Sequence, residues 1–216
     1  MYKLPQISEY EKNNFLVLGS IKQNGESMMM KRIIPYILIA FCISTAYAGY
    51  DRVIGPGEYE YSIVEWTSGL LLIDGGGGIR FHIKDSSNLE VLSTSTPLGL
   101  DVGGIQYIWM DNYSALNYFG GETFVLTLFK NATATLSGGR IDVIESLQRS
   151  NETKHITMIC DIDSVHYNAT TRLLTGNWLG NKGSFSITLV NDDPERFDST
   201  YSNIQFIPEP ASLVFL

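Results

Sequence analysis

Residues 113–131 read YSALNYFGGETFVLTLFKN, and residues 131–148 read NATATLSGGRIDVIESLQ. Both open on a small residue near their start, run through alternating apolar positions to a Gly-Gly pair, and leave on a second apolar run. Residues 68–85, SGLLLIDGGGGIRFHIKD, follow the same plan. A fourth copy opens as SNLEVL at Ser87 and resumes as VGGIQYIWMDN at Val102, with STSTPLGLD between them as an inserted loop. Unit starts at Ser68, Ser87, Ser114 and Ala132 lie 19, 27 and 18 residues apart.

A recurring unit near 18 residues, built of short runs rich in Ile, Leu, Val, Thr, Phe and Tyr and punctuated by Gly-Gly, predicts an all-β fold. The specific expectation is a short β-solenoid of two or three strands per coil, with glycine supplying the positive φ at the corners. One coil cannot bury its inward side chains, here expected to include Leu116, Tyr118, Phe124 and Leu126. Stacked coils bury them as continuous ladders. The alternative is an antiparallel β-sandwich, which also uses short strands and glycine-rich turns. Residues 140–147, RIDVIESL, fit either a helical spacing (Ile141, Ile144, Leu147) or a strand alternation. The preceding double glycine favours a strand.

After Gln148 the pattern changes. HITMICDI at His155 reads as a strand that closes the stack. RLLTGNWLGNKGSFSITLV at Arg172 reads as a hairpin, turning at Gly180–Gly183 with Phe185, Ile187 and Leu189 inward. The repeats thus span about 68–148 and a capping block about 155–206. NIQFI at Asn203 is the last strand, ahead of Pro208. A cap is expected because an open stack end invites pairing with other chains.

Two N-terminal stretches fall outside this domain. From Met30 the chain reads MKRIIPYILIAFCISTAYAGYD. A basic start (Lys31, Arg32), an apolar run and the Ala46-Tyr47-Ala48 triplet before Gly49 form the layout of a secretory signal peptide. Residues 30–48 are therefore read as a signal peptide cleaved between Ala48 and Gly49. Its apolar run is shorter than the roughly 20 residues of a spanning helix. Residues 1–29 are polar and unpatterned, as expected of a start codon assigned too far upstream.

Removing residues 1–48 leaves 168 residues with 10 basic and 20 acidic side chains, a net charge of −10. That balance argues against nucleic acid and anionic lipid as partners. One cysteine remains, Cys160, so no disulfide framework is expected. Its strand context and acidic neighbours suit a buried apolar residue rather than a reactive thiol.

The candidate chemistry is sparse. IDGGGGIRF at Ile73 lacks the following helix and the Gly-Lys-Ser/Thr of a phosphate loop, so a chain corner is the reading and no cofactor is expected. His82, His155 and His166 lack metal-ligand spacing. Asp161/Asp163 and Asp192/Asp193 lack the bidentate glutamate of a calcium loop. Polysaccharide cleavage requires converging carboxylates, and Asp74, Asp111 and Asp142 occupy different unit positions. The chain is read as a non-enzyme. Trp66, Trp109 and Trp178 are candidates for sugar stacking. Tyr107 and Trp109 are favoured, since in QYIWMD they share one face and Ile108 and Met110 the other.

The C-terminal residues, IPEPASLVFL from Ile207 to Leu216, carry a Pro-Glu-Pro triplet before small and apolar residues. With the signal peptide, this resembles the PEP-CTERM sorting signal of bacteria. The resemblance maps the motif onto Pro208, Glu209 and Pro210 and the first residues of a membrane span onto Ala211–Leu216. It covers about ten residues of 207–216, with the rest of the span and the basic cluster not in the sequence, as in a truncated anchor. It implies export, processing by signal peptidase and an exosortase-type peptidase, and only transient membrane contact through the targeting segments. It also implies a cell-surface or extracellular location associated with exopolysaccharide and biofilm matrix. The expected function is a non-catalytic surface or matrix component. The alternative is a carbohydrate-binding module using Tyr107 and Trp109, and the third reading is a polysaccharide-active enzyme.

Overall fold

The computed structural model describes residues 49–95, 103–148, 154–190 and 195–208. It is all-β, with thirteen strands among the described residues. They are β1 (Arg52–Ile54), β2 (Tyr59–Trp66), β3 (Leu70–Ile83), β4 (Asn88–Thr94), β5 (Ile105–Met110), β6 (Ala115–Tyr118) and β7 (Glu122–Phe129). The chain continues through β8 (Thr133–Leu136), β9 (Arg140–Leu147), β10 (Ile156–Asn168), β11 (Leu173–Trp178), β12 (Ser184–Val190) and β13 (Ile204–Ile207).

Pairing is parallel almost throughout, which excludes the antiparallel sandwich. One sheet runs β1-β3-β4-β6-β8-β10-β13. A second runs β2-β3-β5-β7-β9-β12. Each coil contributes one strand to the first sheet, turns a corner, and contributes the next to the second. This is a two-sheet β-solenoid. The stack extends one coil beyond the sequence repeats on the N-terminal side, where β1 and β2 pair with β3.

In-register stacking converts the repeat into ladders. Leu71, Leu89, Leu116, Ala134 and Ile156 form one, and Ile73, Val91, Tyr118, Leu136 and Met158 another. Across the core, the second sheet supplies Phe81, Ile108, Leu126 and Ile144. All of these are buried in one continuous cluster. At about 25 cal/mol per Å² of apolar surface removed from water, such ladders are the main driving force of the fold.

The corners explain the residue types. Gly121 and Gly139 have φ of +91° and +77°. A Cβ on Gly121 would also lie 2.7 Å from the Thr94 side chain of the coil below. At the opposite corner, Ser87, Ser114 and Ala132 are completely buried. Each closes a tight turn through its own N–H, to the carbonyls of Lys84 (3.2 Å), Asp111 (3.2 Å) and Phe129 (3.1 Å). Only a small side chain fits between stacked turns.

Two expectations require correction. The residue in register with Ser87 is Gly69, not Ser68, because Leu71 pairs with Leu89 at an offset of 18. Phe124 points outward and is 44% exposed, while its neighbour Thr123 is buried. Strands of the second sheet place two consecutive residues outward after their first inward one. The inward positions are therefore Thr123, Leu126 and Leu128, in step with Ile141, Ile144 and Ser146.

The long insertion leaves β4 and returns at Gly104, whose N–H donates to the Ser95 carbonyl at 2.6 Å. Residues 96–102 lie outside the described residues. At the C-terminal end, β11 and β12 form the expected hairpin. β11 pairs antiparallel with β10 and β12 parallel with β9, so the hairpin bridges the two sheets. Trp178 Nε1 donates to the Gly139 carbonyl at 2.8 Å, and Lys182 Nζ to the Ser137 carbonyl at 3.2 Å. The hairpin is thereby fastened to the last Gly-Gly corner.

Candidate functional site

The side chains with recognition potential gather on the outer face of the second sheet. Inward-facing Ile108 and Met110 commit β5 to the core, and alternation then turns Tyr107 and Trp109 outward, both half-buried. Parallel register brings neighbours beside them. Arg80 on β3 lies opposite Tyr107, and His82 lies opposite Trp109. On β7, Val125 and Thr127 continue the same two rows.

The Arg80 guanidinium sits 4.2 Å from the centre of the Trp109 ring and 5.4 Å from that of Tyr107. Such cation–π contacts contribute about 0.5–2 kcal/mol, depending on exposure. His82 and Phe129 meet Trp109 edge-on at 5.6 and 6.3 Å, and Phe124 meets Tyr107 at 6.4 Å. Exposed Ile63 on β2, opposite Arg80, extends the apolar area. Each aromatic is thus fixed by neighbours on adjacent coils, which limits the entropy lost when a ligand orders them.

The charge pattern is uneven. Lys84 pairs with Glu65 at 2.9 Å at the margin of the face. Burial, and secondarily the charge of Lys84, hold the His82 pKa below its ordinary value, so the imidazole is neutral at pH 7. Arg80 has no carboxylate partner among the described residues, and its Nε is buried without an acceptor.

Tyr107 and Trp109 are therefore brought together as expected. Trp178 is instead a cap residue, 3% exposed, and Trp66 packs against the core. The sequence reading missed Arg80, His82, Phe124 and Phe129. The available signal was the insertion itself: without its nine residues, the 27-residue spacing from Arg80 to Tyr107 becomes one 18-residue coil and the two positions align.

The carboxylates considered for catalysis serve structural contacts. Asp74 accepts from the Ser93 hydroxyl at 2.8 Å, Asp111 pairs with Lys130 at 3.0 Å, and Asp142 pairs with Arg140 at 2.8 Å. Asp161 accepts from the Asp163 N–H at 3.3 Å. Among the described residues no three His, Cys, Asp or Glu side chains converge as metal ligands. Gly49 is exposed at the start of the described chain, and Pro208 follows β13 directly. Ala46, Ala48, Glu209, Pro210 and the pair Asp192/Asp193 lie outside the described residues.

Comparison of the chain with protein-family models, with curated proteins and with solved structures finds no match.

Proposed function

We propose that this chain is an exported component of a bacterial cell surface or extracellular matrix that holds glycan without transforming it. The signal-peptide layout of 30–48 and the Pro208-Glu209-Pro210 triplet support the export reading, as does the PEP-CTERM resemblance they create. Signal peptidase and an exosortase-type peptidase would then act on it in turn.

The observation that carries the binding role is the Tyr107–Trp109 pair, presented outward on a rigid parallel sheet and flanked by Phe124. Flat aromatic faces stack on the apolar faces of sugar rings, and Phe124 and Phe129 on the next coil extend the Tyr107–Trp109 surface along the stack. Mutual packing of Arg80, Trp109 and Phe129 preorganises the surface. Binding would then follow the axis of the stack.

The test is a glycan array probed with the full chain and with Trp109→Ala. Specific binding that the substitution removes supports the reading, whereas an unchanged pattern overturns this site. Turnover of any polysaccharide by the purified chain overturns its non-catalytic part.

A further inference from the structure

We infer that the outer face of the second sheet takes an acidic glycan, one carboxylate-bearing sugar seated on Arg80 beside Trp109. This rests on the glycan reading above and specifies its ligand. Residues 49–216 hold 20 acidic and 10 basic side chains, so carboxylate partners are abundant. Arg52, Lys84, Lys130 and Arg140 each have one. Arg80 has none among the described residues and is laid over an indole instead.

That placement has a chemical consequence. With its carbon 4.2 Å from the centre of the Trp109 ring and its Nε buried, the Arg80 guanidinium has its two terminal nitrogens left to meet an anion. The fork of donors then matches the two oxygens of a carboxylate. The row containing Arg80 reads Ile63, Arg80, Tyr107, Val125, Val143 across the sheet, with no acidic residue in it. The adjacent row holds Glu65 and Glu145, but Glu65 is tied to Lys84, and Thr127 donates to Glu145 at 3.4 Å. Neutral His82 does not compete for the anion and offers its ring nitrogens to sugar hydroxyls. Tyr107 and Phe124 lie next along the face for the apolar side of the following sugar.

The ligand must also be sparsely charged. The net charge of −10 repels a dense polyanion, and attraction to one arginine is screened beyond roughly 8–10 Å at physiological salt. A glycan with isolated uronic acids among neutral sugars satisfies both constraints.

The test prints acidic bacterial oligosaccharides beside their carboxyl-reduced forms and probes them with the full chain. The expected binders carry isolated uronic acids and lose about tenfold or more in affinity on carboxyl reduction, as for a charged hydrogen bond. Arg80→Gln should erase the difference between paired forms while leaving weak residual binding. Arg80→Lys, which keeps the charge and the stem but loses the fork, should fall between. Trp109→Ala should remove binding to both forms. Binders insensitive to carboxyl reduction overturn the acidic assignment and leave the glycan reading standing. A difference that persists in folded Arg80→Gln and Arg80→Lys overturns the role of Arg80. Binding to no printed glycan overturns both readings.

Discussion

The Asn203 carboxamide donates to the Ser146 hydroxyl at 3.0 Å, joining two residues 57 positions apart at the C-terminal end of the stack. Ser146 in turn donates to Gln148, whose amide bonds the carbonyls of Lys130 and Ala132 at 2.8 Å. The Thr200 hydroxyl accepts from the Ser146 N–H at 3.0 Å. All four polar side chains are buried. They occupy the corner where Ser87, Ser114 and Ala132 stack in earlier coils, and they terminate it. Asn203→Ala would leave Ser146 with an unanswered lone pair inside the protein. It should destabilise the chain by about 1–3 kcal/mol, read as a lower urea midpoint with an unchanged slope.

Corner serines differ sharply among themselves. Ser87 donates to the Lys84 or Trp66 carbonyl, 2.5 and 3.0 Å away, whereas the buried Ser114 hydroxyl has no partner among the described residues. Ser114→Ala should therefore be neutral or stabilising, since it removes an unsatisfied polar atom and matches Ala132 in the next coil. Ser87→Ala should cost about 1 kcal/mol. Ser114→Leu should be far worse than either, because the site has no room. Chemical denaturation of the three variants checks the order.

Glycine substitutions separate conformation from crowding. Gly180, in the hairpin turn, has φ +67° and no described atom lies within 4 Å of an added Cβ. Gly121 has φ +91° and an added Cβ would meet Thr94 at 2.7 Å. Gly180→Ala should cost about 1 kcal/mol for the left-handed backbone alone. Gly121→Ala carries that strain and a steric clash between coils, so its thermal midpoint should fall distinctly further.

Cys160 is fully buried, and burial, aided by Asp161, pushes its thiol up to about 11. An unfolded cysteine titrates near 9.0. The folded thiol keeps its proton where the unfolded one loses it. The stability linked to this group is thus complete below pH 9 and declines as pH rises from 9 towards 11. A Cys160→Ala variant should show a shallower loss of stability over that window. In native chain at neutral pH, maleimide should label Cys160 only after denaturant is added.

Legibility followed the range of the interactions involved. Gly120-Gly121 and Gly138-Gly139 announced their corners because the positive φ at Gly121 and Gly139 and the close approach of coils both select glycine. Ser87, Ser114 and Ala132 marked the other corner because burial there excludes anything larger. The hairpin at Gly180–Gly183 was legible from alternation alone, with Phe185, Ile187 and Leu189 all inward. Phe124 was misplaced because simple alternation does not reveal where a strand sets two consecutive residues outward. That offset is imposed by stacking Thr123 between Ile105 and Ile141.

By itself, then, the sequence determined the strand content, the coil length and the residue types at each corner. These follow from local sterics and from a burial pattern repeated at short range. Tertiary structure decided what the surface presents. Arg80 meets Trp109 only because β3 and β5 pair in adjacent register across a spacing nine residues longer than one 18-residue coil. Asn203 reaches Ser146 only after the hairpin has crossed from one sheet to the other. Such contacts depend on how distant coils are aligned in space, and no short-range pattern encodes that alignment.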